Sequence, residues 1–273
     1  MSDDARRLVA DDPIISDCST MPAACLRMQA DIHQDAQLDR TVGVLGLGAI
    51  GAEVTTQLLR YGVARISGQD PRTIAGRLGP TIGAAFADRF EHDDRVTVHN
   101  GGFDEPGIAE LVDSVDLIVA AVETHSPTLL HLVNGAAIAA GKPWLPVYLD
   151  DSDDLEMVVG PFVWPGVSPC YNEYEIQHEV SRALRGDYLL GKEAHDRIAV
   201  DETVRLLPSH AGLAASWAVA AALPYLVDGS SFLAGKAIRL DMARLEVTTE
   251  RVVRLPDCPA CSGSRPGHGH PFL

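Results

Sequence analysis

Residues 41–70, TVGVLGLGAIGAEVTTQLLRYGVARISGQD, limit the fold more than any other stretch of this chain. Residues 41–46 are a short apolar run and read as a strand. Gly46, Gly48 and Gly51 then set a G-x-G-x-x-G turn. Ile50, Val54 and Leu58 recur every fourth residue, so they share one face of a helix that Gly62 closes. VARIS is a second strand, and Asp70 lies 19 residues beyond Gly51. Strand, glycine turn, helix, strand and acid in this order make a dinucleotide-type βαβ unit. Glycines let the backbone turn tightly and approach a phosphate. The helix start offers free N–H groups to that phosphate, and the acid accepts from ribose hydroxyls. Gly46, Gly48, Gly51 and Asp70 are therefore the expected cofactor-binding residues.

The rhythm continues with strands at RVTVH and VDLIVAAV, a helix over 126–141 and a strand at KPWLPVYL. Alternating β and α elements predict an α/β, Rossmann-like, mostly parallel sheet with helices on both faces. After residue 150 the pattern changes. LEMVVGPFVWPG reads as a strand ending at Pro165-Gly166, and a polar helical stretch follows over about 171–197. Residues 211–227 form an Ala-rich helix with Ser209 as its expected N-cap. KAIRLDMARLEVTTERVVRL reads as two or three antiparallel strands, and a Cys-rich knuckle closes the pattern. The expected organisation is an N-terminal arm over 1–40, a nucleotide-binding half over 41–150, and a second half of the same domain over 151–273.

Composition excludes several classes. The net charge is -16, without a Lys/Arg-rich block, so no nucleic-acid partner is expected. The acidic start has no apolar core of a secretory signal, which places the chain in the cytoplasm. The 17 residues 211–227 include Pro224 and are too short and Ala-rich for a membrane span, so no membrane partner is expected. Five cysteines in 273 residues make no disulfide scaffold. Cys18 and Cys25 precede the glycine unit. Cys258 and Cys261 form a C-x-x-C, half of a tetrahedral thiolate site for zinc. The adjacent pairs His195-Asp196 and Ser209-His210 point apart on a helix, so neither is a catalytic dyad.

GPFVWPGVSPC at 160–170, AGLAASWAVAAALPYLVDG, AIRLD and the terminal CPAC occur in an order that resembles the ThiF-like superfamily, relatives of ubiquitin-activating enzyme. The similarity is greatest to the ThiF-like partners of YcaO cyclodehydratases in ribosomal peptide natural-product maturation, and it covers roughly residues 40–262. It implies ATP with magnesium as cofactor, a structural zinc, a peptide substrate, a YcaO-like partner enzyme and a homodimer. The family's zinc site pairs two C-x-x-C motifs. Here the first begins at Cys170, and Glu173 stands where its second cysteine would be. The implied metal set is Cys170, Glu173, Cys258 and Cys261, with His268 or His270 as the other source of a fourth ligand.

The catalytic pattern departs further. After Asp70 the family's second acid is Arg72, the nearest arginine to its N-L-x-R segment is Arg77, and no lysine precedes Lys142. Glu123 occupies the magnesium-binding Asp position. Arg72, Arg77 and Glu123 are thus the candidate catalytic residues of an eroded ATP site. The sequence supports a ThiF-like protein that presents a peptide to, or activates, a YcaO-type enzyme. An active adenylyltransferase of a peptide C-terminus or small carboxylate is one alternative, and an NAD(P)-binding oxidoreductase is the other. The family's N-terminal winged-helix module has no counterpart in residues 1–40. Leader-peptide binding is therefore expected from a separate small protein or from that arm.

Overall fold

The computed structural model describes residues 38–72, 81–150, 156–181, 206–241 and 246–264, with positions 186, 189, 190 and 244. β1 (Leu38–Leu45), α1 (Ala49–Arg60) and β2 (Val63–Gln69) form the expected βαβ unit. α2 (Ile82–Arg89), β3 (Val96–His99), α3 (Glu105–Ser114), β4 (Leu117–Ala121), α4 (Pro127–Ala140) and β5 (Trp144–Asp150) follow. β6 (Glu156–Val159), α5 (Tyr171–Ser181), α6 (Pro208–Asp228), β7 (Lys236–Asp241), β8 (Glu246–Arg251) and a 3₁₀ turn at Ser262–Ser264 complete the described elements.

All eight strands join one sheet in the order β3-β2-β1-β4-β5-β6-β7-β8. The first five run parallel, and β6, β7 and β8 add antiparallel. Strand alternation splits the core in two. Leu117, Val119 and Ala121 face the layer of α1, α2 and α6, whereas Ile118 and Ala120 face α3, α4 and α5. The strand order reverses direction between β1 and β4, so their carboxyl ends open the crevice where ligands of such sheets bind.

Some boundaries differ from the sequence reading. α3 goes unread there, although Asp104 caps it by accepting from the Gly107 N–H at 3.1 Å, and Ile108, Leu111 and Val112 form its buried face. β6 stops at Val159; a cis Gly160–Pro161 bond and isolated bridges at Phe162 and Val163 replace the longer strand. The N-cap of α6 is Leu207, not Ser209, because Pro208 takes the first helical position, where its missing N–H costs nothing. Of the two or three strands expected over 236–255, the described residues form two. α6 has the length and hydropathy of a membrane span, but 56% of its most apolar window is buried inside the protein. Its alanines at 214, 215, 218, 221 and 222 all face the chain's own core, where small side chains let α6 lie close to α1 and the sheet. Residues 191–200, with His195 and Asp196, lie outside the described residues, as do Cys18 and Cys25.

Candidate functional site

The glycine turn joins the end of β1 to α1, and each glycine there has its own reason. Gly46 has φ +89°, a region that L side chains rarely adopt, and a Cβ on it would meet the Ala121 carbonyl oxygen. A Cβ on Gly51 would meet the carbonyl oxygen of Gly46. Gly48 has an ordinary φ of -70°, and its Cβ would meet the Glu123 carboxylate instead. Gly48 is the N-cap of α1 and has no side chain to cap the helix. Glu123, just beyond β4, does so from outside: Ala49 N–H donates to its Oε1, and Ile50 N–H also stabilises the charged form. An anion thus sits where a helix start binds anions, and that anion belongs to the chain itself. Burial raises the Glu123 pKa from its ordinary value; donation from Ala49 and the charge of Arg72 oppose this only in part.

Asp70 directly follows β2, with its side chain fully buried. Its Oδ2 accepts from Leu47 N–H at 2.9 Å. Arg72 clamps it through Nε–Oδ1 at 2.9 Å and Nη2–Oδ2 at 2.7 Å. Burial opposes the charge on Arg72, but the bonds and charge of Asp70, with Glu123 beyond, outweigh it and raise its pKa. The guanidinium lies 5.6 Å from the ring centre of Phe103. Both border a small cleft lined also by Val122, Thr124, Leu129 and Leu132. Thr124 Oγ1 is buried there with no hydrogen-bond partner among the described residues. The turn glycines, Asp70, Arg72 and Glu123 therefore meet at one place, while Arg77 lies outside the described residues.

The second cluster is packed into the layer of α3, α4 and α5. Cys170, Glu173, Cys258 and Cys261 are all buried, and their ligand atoms lie within 4.8 Å of one another. Cys170 Sγ is 3.7 Å from Cys258 Sγ, and Cys261 Sγ is 3.5 Å from Glu173 Oε2. Tetrahedral zinc with Zn–S of about 2.3 Å and Zn–O of about 2.0 Å sets S···S edges of about 3.8 Å and S···O edges of about 3.5 Å. The donor set fits zinc in type, and these two edges fit it in spacing. Bound there, zinc would join the loop after Pro169 to the C-terminal knuckle. Burial pushes the Cys170 thiol up. Burial also opposes the Cys258 thiolate, but hydrogen bonds from Asn172 and the Ala260 and Cys261 backbone outweigh it and lower its pKa. His268 and His270 lie outside the described residues.

A buried polar seam along α5 was not read from the sequence. His125 Nε2 and the Tyr171 hydroxyl share a 2.9 Å hydrogen bond, and Glu175 contacts both His125 and His131. Arg239 on β7 donates to Asp150 at 2.8 Å and to Glu156. Burial raises the Tyr174 pKa to about 12, with Arg239 opposing. The available signal was the spacing of Tyr171, Tyr174, Glu175 and His178 on one helical face.

No protein-family description and no curated protein sequence matches the chain. Solved structures do. Escherichia coli MccB with MccA-N7isoASN superposes with a TM-score of 0.67 at 18% identity, covering 87% of this chain and 72% of that one. The same protein with ATP gives 0.65 at 19% identity, over 86% and 72%. PaaA gives 0.58 at 19% identity, over 84% and 80%. The chain shares the fold of these proteins.

Proposed function

We propose that this chain is a ThiF-like scaffold in the maturation of a ribosomally made peptide natural product. It presents a peptide to, or activates, a separate YcaO-type enzyme in the cytoplasm, and its ATP site is eroded. The observation that carries this reading is the Glu123 carboxylate on the N–H groups of α1. A triphosphate needs those donors, and Arg72, the one cation described at the turn, is committed to Asp70. The peptide half draws support from MccB, a microcin C7 biosynthetic enzyme solved in complex with N-formylated MccA. The YcaO half rests on GPFVWPGVSPC and CPAC. Zinc belongs at Cys170, Glu173, Cys258 and Cys261. The division at residue 150 falls where the sheet passes from parallel to antiparallel strands. A homodimer would use the outer face of α6. Leu213, Ala220 and Val227 are exposed on that face with Trp217 half-buried beside them, and residues 208–227 carry no Asp, Glu, Lys or Arg in a chain of net charge -16. Two such acidic chains repel least where neither bears charge. Sedimentation of Trp217→Glu tests this: the variant should be monomeric where the parent is dimeric.

Calorimetry with ATP and magnesium, paired with co-purification of a YcaO-type enzyme from the source organism, tests the main reading. The scaffold predicts no ATP binding at millimolar nucleotide and a stable complex with the enzyme. Micromolar ATP binding without any complex would overturn it.

The cleft favours a second reading as an active adenylyltransferase. Its buried Thr124 hydroxyl has room for a ligand partner beside Arg72, and MccB has been solved with ATP. In that case Asp70 holds the ribose, and Glu123 leaves Ala49 to hold magnesium. Peptide-dependent pyrophosphate exchange decides between the two.

A further inference from the structure

Glu173 does more than complete a ligand set. Its Oε2 accepts from the Cys170 N–H at 2.8 Å, and its Oε1 accepts from the Leu255 N–H at 2.6 Å. Those two amides belong to the two segments that a zinc ion would join: the start of α5, and the stretch that leads from β8 to the C-x-x-C. A carboxylate has about four acceptor positions, so two amide bonds leave room for the Oε2 that faces Cys261. A fourth cysteine could take neither bond with comparable strength, because sulfur is a weak acceptor.

We propose that Glu173 closes the C-terminal knuckle without metal. Zn²⁺ then enters a preformed site of three cysteines and one carboxylate as an exchangeable addition, and the remaining thiol protons leave to solvent as the sulfurs ligate. The geometry requires only a small contraction between the two states: two of the six edges, at 3.7 Å and 3.5 Å, already match a tetrahedron, and all four ligand atoms lie within 4.8 Å of one another. The usual dependence of a cysteine knuckle on its ion is thereby relaxed. The inference concerns the knuckle only and does not depend on what the glycine turn binds.

Amide hydrogen exchange of the full chain, with EDTA and with Zn²⁺, tests this in the parent and in Glu173→Cys. Protection at Cys170 and Leu255 should be the same in both conditions for the parent. In Glu173→Cys it should fall at least about tenfold in EDTA and return with Zn²⁺. Zinc titration should show the parent holding the ion at least about tenfold more weakly than Glu173→Cys, which has a four-thiolate set. Loss of parental protection in EDTA to the level of the variant would overturn the proposal, as would equal zinc affinity. If Glu173→Cys does not fold, Glu173→Gln serves. Its amide group would face one of the two N–H donors, so protection at Cys170 or Leu255 should drop whether or not zinc is present. Unchanged protection at both would overturn the proposal.

Discussion

Two buried glutamates, Glu123 at the glycine turn and Glu173 at the knuckle, stand where the resemblance to the ThiF-like pattern implies an aspartate and a cysteine. Each accepts from backbone N–H groups far away in sequence. The consequences differ. Glu173 joins two segments of chain and leaves its thiol neighbours at metal-binding distances. Glu123 fills the seat that a phosphate would use, and burial holds its pKa up. Under the two proposals above, one carboxylate preserves a ligand site while relaxing the need for the ligand, and the other occupies the site. A conservative change of a functional position is thus judged by what the new carboxylate accepts from, not by its charge.

The largest effect expected from breaking this comparison is at the knuckle. Glu173→Ala strands two amides at a fully buried position, a loss of about 4 kcal/mol. A chain of this length should then melt about 10 °C lower by calorimetry. A loss under about 1 kcal/mol would mean that other contacts hold the knuckle closed.

Next comes the turn. Arg72→Met leaves the Asp70 carboxylate buried with Leu47 as its only remaining described donor from outside residues 70–72, which should cost about 3 kcal/mol in urea unfolding. The glycines provide a sharper test at smaller cost. Gly48→Ala meets the Glu123 side chain first, so combining it with Glu123→Ala should recover about 1 kcal/mol relative to additivity. Gly46→Ala and Gly51→Ala meet backbone carbonyls and should gain nothing from Glu123→Ala. Equal recovery at all three positions would mean that Glu123 does not shape the turn.

The parallel half of the fold was legible in the sequence because glycine spacing and apolar periodicity are local. Residues 41–70 alone specify two strands, the helix between them and the acid. Asp70, Arg72 and Glu123 were named from motif positions, but that Arg72 and Asp70 clamp each other in a buried pair was not readable. Pairing depends on where β2 ends and on the ring of Phe103, which arrives from the loop after β3. Glu173 was readable as a departure from C-x-x-C. Its bond to Leu255 was not, since 82 residues separate the two. The α5 seam was missed for the same reason: its partners come from β5, β7 and the β4–α4 connection, and a helix of polar residues reads as exposed until the sheet beneath it is known.

The smallest expected effect isolates the charge of Glu123 from its shape. Its folded pKa lies above the unfolded value because burial disfavours the anion. The native state therefore holds the proton more tightly than the unfolded chain does. The resulting stabilisation is fully present below the unfolded pKa and is lost as pH rises through the folded one. Glu123→Gln keeps an oxygen to accept from Ala49 and has no proton to lose. Relative to the parent, it should become progressively more stable as pH rises from acid towards neutral, then level off once Glu123 is ionised. Melting curves of both proteins over that range give the difference directly. A difference that is flat, or that runs the other way, would mean that the Ala49 and Ile50 donors and Arg72 together outweigh burial. The turn would then favour an anion as strongly as the knuckle does, and the contrast between the two glutamates would fail.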